Sequence, residues 1–393
     1  MSDSTWTNVR KQFIMAPDFA NFAGMSLASH PKPVAKAIKR FRKGLDERPY
    51  PFLKANLHAA EDAVAAKAAA YFGATSANIA LTDGTTSGLT LLYAGLPFKR
   101  GQEILTTQHE FSGVLQIFDY LQQRQGTPTR KINLLPNPAA TTQQDILKRL
   151  QESVEPQTRV LALTWVYSNS GVKLPLPAIS SWLRTVNKTR SPEDQVLLCV
   201  DGVHGFGAEN QTFTEMGCAF FVSGCHKWAC GPRGTGIWCG TSDAWAQYHQ
   251  VAPTSSRSNA GAGRSMSPGG VQCYEHRWAL EVAFEFLLDI GKAEIEARVH
   301  ALASEIKSEL SRMPRVTLVT PKSQALSAGI ICFDVEGRTA ADAVDTLAMD
   351  GIVCTQSSHD AAFDPDVRHV RLSVSIFTSH ADIDRCLQAI RRL

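Results

Sequence analysis

Short apolar runs recur along the first two-thirds of the chain, at 79–81, 103–106, 160–165, 196–200, 219–222 and 235–238, mostly with segments of helical length between them. Runs this short and continuous suit strands buried on both faces, and their alternation with helices predicts an α/β unit with a largely parallel sheet. Ligands are then expected beyond the carboxyl ends of the strands, in strand-to-helix loops. From 274 to 313 the pattern becomes one long helical stretch, with Trp278, Val282, Phe286 and Ile290 on one face, expected to connect two domains. A strand at 328–333, a helix at 340–349, a strand at 369–373 and a terminal helix from 381 predict a smaller α+β unit. The first 50 residues, with turn signals at Pro31, Pro33, Pro49 and Pro51, read as an arm packed back on the core. The expected division is therefore an arm at 1–50, a large domain at 51–273, and a connector helix with a small domain at 274–393.

Composition narrows the function. A chain of 393 residues that is 44% hydrophobic can bury a sizeable cleft between two domains. Forty basic against 37 acidic residues leave a net charge of +3, which argues against a protein that grips nucleic acid through its phosphates. Nine cysteines, many inside apolar runs, read as reduced and buried thiols. The polar start lacks a signal-peptide pattern, and no apolar stretch approaches the roughly 18 residues that span a bilayer. The expectation is a cytoplasmic protein without a membrane partner.

The strongest chemical signal lies in the segment where LLCVD ends in Asp201, GVHG follows, and AFFVSG leads into CHKWACGPRGTG. An acid and a lysine thus leave adjacent strand ends. A lysine that forms imines must be partly desolvated so that its amine can be neutral, and a buried carboxylate facing a pyridine nitrogen keeps that ring protonated as an electron sink. Asp201 and Lys227 suit those roles. At 81–92 a strand runs into TDGTTSG and an apolar helix: Gly84 lets the backbone approach an anion, and Thr85, Thr86 and Ser87 offer donors at a helix start. Taken alone, such a loop is more often an ordinary capped helix. In TTQHEF, His109 follows the next strand, where an imidazole can lie against a flat ring. Cys225, His226 and Cys230, with His204 upstream, raise a zinc alternative, but they lack the paired Cys-x2-Cys spacing of a structural site.

The VDGVHGFG and HKWACGPRGTG segments resemble the class V aminotransferase superfamily of fold type I pyridoxal-phosphate enzymes, and its isopenicillin N epimerase-like branch in particular. The likeness extends from FAGMSLASHPKPV at 22–34 through DGTTSG, QHEF and SNSG to VRLSVSIFTSHADID. It implies a large domain with a mostly parallel, seven-stranded sheet and a smaller α+β C-terminal domain. It implies pyridoxal 5'-phosphate as cofactor, with Lys227 the Schiff-base lysine, Asp201 the pyridine partner, His226 a phosphate ligand, and Gly84, Thr86 and the Thr85 amide the phosphate cup. His109 would stack on the ring, His204 would pack close to ring and substrate, and Ser168 would approach the 3-hydroxyl side. Arg371 matches the arginine that clamps a substrate carboxylate, with Ser26 also on the substrate side. The family forms homodimers in which a Gly-Thr turn from the neighbour touches the phosphate. Here SPGGVQCYEHRW carries Val271 where threonine is common, so the amides of Gly269 or Gly270 are expected to replace that contact.

These residues do not choose a reaction. Epimerase, C–S lyase and oxidative decarboxylase or deaminase chemistry at Cα or Cβ of an α-amino acid, in specialised metabolism, leads; a class V aminotransferase or a catalytically silent binding protein is the alternative. Cysteine desulfurase chemistry is disfavoured, because the place of the mobile thiol reads SSHD, with Asp360, and Cys354 is expected to pack in a strand. Ser375 and Thr378 replace a histidine and an asparagine common in the family, which suggests a remodelled substrate side. Arg233, Arg257, Arg264 and Arg277 cluster in sequence near the expected mouth, where they would suit a second acidic group on the substrate.

Overall fold

The computed structural model describes residues 3–16, 18–255, 259–357 and 368–393. Seven strands form the main sheet: β1 (Ile79–Thr82), β2 (Glu103–Thr107), β3 (Thr129–Ile132), β4 (Thr158–Thr164), β5 (Leu197–Asp201), β6 (Phe220–Gly224) and β7 (Gly236–Gly240). Their order is β1-β7-β6-β5-β4-β2-β3, and β7 alone among these strands runs antiparallel to its neighbours. Every residue of β1, β2, β4, β5, β6 and β7 is buried, as expected for strands with helices on both faces. The sequence pattern finds those six. It misses β3, one of the two edge strands, because TRKI is polar and its side chains are only partly covered.

A second sheet of four short strands, including Ile330–Val335 and Val370–Ser373, carries the small C-terminal unit with the helices Ala340–Met349 and His380–Ile390. The N-terminal arm joins this unit. Ala20–Asn21 pairs in parallel with Ile352–Val353, and Arg10 forms an ion pair with Asp382 at 2.6 Å. The helix Pro49–Phe72 runs without a break through the expected 50/51 junction.

The long helical stretch is two helices, Tyr274–Ile290 and Lys292–Leu310, parted at Gly291, whose φ of +93° ends the first helix. The expected stripe also drifts. Steps of four residues advance about 40° beyond a full turn each time, and of the four only Trp278 and Ile290 are buried, Val282 and Phe286 being half-buried. Among the described residues, no helix is long and apolar enough to cross a membrane.

Candidate active site

The carboxyl ends of β2, β4, β5 and β6 converge on one cavity of about 530 Å³. Its cup is the start of the helix Thr85–Gly95, whose first turn no side chain caps. Thr85 Oγ1 accepts the Gly224 N–H at 2.8 Å, which ties the cup to the end of β6 and leaves both the hydroxyl proton and the amide to serve an anion. Ser87 Oγ donates to the Gly84 carbonyl at 3.1 Å. Gly88 lets this helix lie on the sheet, since a Cβ there would come within 2.6 Å of Val222 Cγ1. The first-turn N–H groups and the helix dipole favour an anion at this point.

Asp201 ends β5, buried, with its Oδ1 accepting the Val203 N–H at 3.0 Å. Burial pushes its carboxyl up to about 6, opposed by that hydrogen bond and by the charge of Lys227. Lys227 follows β6. Burial brings its amine down to about 8; Asp201 pulls it back up and Arg371 lowers it further. An amine and a carboxylate held apart yet within each other's field are poised for a ligand between them. His226 is held below its usual range by burial and then by Lys227. Its carbonyl accepts the Ala28 N–H at 3.0 Å, which clips the N-terminal arm to the lysine loop. His204 is buried and kept neutral, far below its usual range, and its Nδ1 accepts Trp228 Nε1–H at 3.3 Å. His109 Nε2 accepts the Leu135 N–H at 3.0 Å. Arg371 enters from the small unit, its Nε donating to Thr355 Oγ1 and its Nη1 to the Ser168 carbonyl, both at 3.0 Å.

Gly84, Thr85, Thr86, His109, Ser168, Asp201, His204, His226, Lys227, Arg371 and Ser26 all line this one cavity. Gly270 does not. It is exposed, with a φ of +94° and its N–H donating to Ser255 Oγ at 3.2 Å, away from the cup of its own chain.

The arginine expectation is corrected. Arg264 and Arg277 are buried and share Glu61, at 3.3 and 3.1 Å, so both are spent inside the protein. Arg233 is exposed, and neither it nor the other two lines the cavity; Arg257 lies outside the described residues, as does Asp360. Ser375 and Thr378 are also turned inward, the Ser375 N–H donating to Thr378 Oγ1 at 3.0 Å. They pack rather than face substrate. Cys354 is buried with its thiol pushed up to about 12, a packed side chain rather than a mobile nucleophile. Among the described residues, the group close enough to share a metal ion is Glu209, Glu296 and His300, remote in sequence from Cys225, His226 and Cys230.

Sequence reasoning overlooked Met25, Phe111, Thr164, Tyr167 and Val203 in the cavity wall. Thr164 was within reach of the strand-end rule, being the last residue of β4 and the register partner of Asp201. Met25 and Phe111 carry no chemical signal of their own.

A family model described as "Aminotransferase class-V" matches residues 25–386. Isopenicillin N epimerase of Streptomyces clavuligerus is 23% identical, covering 100% of this chain and 99% of that protein. A cysteine desulfurase of Pectobacterium carotovorum is 23% identical over 87% and 84% of the two chains. Among solved structures, a lysine-to-alanine mutant of C-DES, with glycine covalently linked to its PLP cofactor, superposes with a TM-score of 0.84 at 19% identity, covering 97% and 98%. C-DES is also described as a cystine C–S lyase in complex with its product, cysteine persulfide.

Proposed function

We propose, because this chain belongs to the aminotransferase class-V family and is a pyridoxal-phosphate enzyme, that it breaks or inverts a bond at Cα or Cβ of an α-amino acid in the manner of isopenicillin N epimerase. The observation that carries this reading is the meeting of Lys227, Asp201 and Arg371 in one cavity with the uncapped helix start at Thr85. The residues fit the cofactor: an amine brought down to about 8 by burial, an acid at an adjacent strand end, and an anion cup of backbone donors.

When bound, pyridoxal phosphate supplies an electron sink conjugated to the substrate's Cα. Lys227 is assigned to hold its aldehyde carbon and, once released, to move a proton at Cα. Asp201 pairs with the pyridine nitrogen; Gly84, the Thr85 amide, Thr86 and His226 hold the phosphate. His109 and His204, the latter neutral, flank the ring, and Ser168 is assigned to its 3-hydroxyl side. Arg371 orients the α-carboxylate with its paired N–H groups, and Ser26 stands on the same side. The Gly269 and Gly270 amides are not assigned to a phosphate, because their N–H groups are spent on the Pro253 carbonyl and Ser255 Oγ. The packed Cys354 supports a reaction in which that thiol does not carry a persulfide.

A visible absorption band on adding pyridoxal phosphate, bleached by borohydride and missing from Lys227→Ala, is the expected result. No band in the wild-type protein overturns the reading. Incubating amino acids in deuterated water with and without oxygen then separates the chemistries by exchange at Cα, released thiol and lost carbon dioxide.

A further inference from the structure

Behind the cavity wall, past the end of β2, lies a carboxyl group that has no role in the reading above. Glu110 is 4% exposed and its partners are hydroxyls. Its Oε1 accepts from Thr107 Oγ1 at 2.9 Å and from the Tyr167 hydroxyl at 3.0 Å, and its Oε2 is bonded to the Thr164 hydroxyl. Thr107 Oγ1 in turn accepts the His109 N–H at 3.2 Å. Thr164, Tyr167 and His109 all line the cavity, and Thr164 is paired in register with Asp201. One carboxyl group thus fastens the ends of β2 and β4 and the loop after β4 at the place where Asp201 closes the site.

We propose that Glu110 is a positioning residue for the cofactor ring, fixing the Thr164 and Tyr167 hydroxyls and the His109 backbone beside Asp201. The proposal rests on the reading that this cavity holds pyridoxal phosphate. Its logic is electrostatic as well as geometric. Burial pushes Glu110 up to about 7, the hydroxyl bonds lower it less, and the charge of Asp201 raises it further. The other titratable groups facing it are Tyr93, held neutral far above its usual range by burial, together with Tyr167 and His109. With Glu110 protonated, the repulsion between the two carboxyl groups is relieved, which favours the charged form of Asp201 at the ring nitrogen. A protonated acid can also donate one of its hydrogen bonds, as a glutamine can in its place.

A carboxyl whose folded value is raised stabilises the protein fully below its unfolded value and loses that contribution as pH rises through about 7. In cofactor-free protein, the thermal midpoint of Glu110→Gln relative to wild type should therefore move in the variant's favour between pH 5 and pH 8. In the loaded protein, Glu110→Leu should weaken pyridoxal phosphate binding about tenfold and move the visible band, while Glu110→Gln stays within about threefold of wild type. Thr164→Val should reproduce part of the loss and add little on top of Glu110→Leu. A midpoint difference that is flat with pH, or wild-type affinity and spectrum in Glu110→Leu, overturns the proposal. If Glu110→Leu does not fold, wild-type affinity and spectrum in Thr164→Val overturn it instead. A wild-type protein that takes up no pyridoxal phosphate brings down the underlying reading too, which is a different result from variants that match a loaded wild type.

Discussion

Two of the regions of this molecule that bury charge treat it in opposite ways. At Glu61, two buried arginines converge on one buried carboxylate, Arg264 at 3.3 Å and Arg277 at 3.1 Å, and Asp62 at 3.6 Å from Arg264 supplies the second negative charge. In the cavity, Asp201 and Arg371 are buried and Lys227 half-buried, no ion pair joins them, and desolvation displaces all three from their usual ranges. Buried charge that is paired within the fold is structure. Buried charge left for something else to pair with is a site.

The contrast is sharpest where one lysine is removed. Lys227→Ala should lower turnover by about 10³-fold or more, yet leave the thermal midpoint of the cofactor-free protein unchanged or higher, because it relieves a buried amine that has no ion-pair partner. Turnover assays beside calorimetry check this. Glu61→Gln is the reverse case. It strands buried Arg277, leaves Arg264 only Asp62, and should cost about 3 to 5 kcal/mol of stability, seen as a lower denaturation midpoint. If it cost nothing, the distinction between the two regions would fail. Arg371→Lys keeps the charge and loses the planar pair of donors, and should raise KM for the amino acid about 10- to 100-fold with a smaller effect on kcat. The mildest test is pH. Below about 8 the Lys227 amine is protonated and cannot condense, so the rate of pyridoxal phosphate uptake should climb about tenfold per pH unit toward that value and level off above it.

The same contrast explains what could be read in the chain. Six strands of the main sheet announce themselves because burial on both faces demands continuous apolar runs, whereas TRKI at the edge carries no such demand. The chemistry at strand ends is legible because Asp201 and Lys227 terminate recognisable strands and the TDGTTSG loop opens a helix. Arg264 and Arg277 mislead because their partner, Glu61, lies 203 residues before the first of them, and no local pattern reports a pairing at that separation. Glu110 stands beside His109 in the sequence, but its meaning comes from Thr164 and Tyr167, more than 50 residues away. The break at Gly291 is visible as a lone glycine, yet a glycine inside a helical pattern is often tolerated, so only its φ decides the matter.

The hydrogen bond from the Gly224 N–H to the Thr85 hydroxyl sets a tolerance on chain length. It pins the phosphate cup to the last residue of β6, and only Cys225 and His226 separate that residue from Lys227. The two anchors proposed for the cofactor are therefore spaced by a two-residue leash. A single residue added at 225 or 226 would put the lysine out of step with the cup.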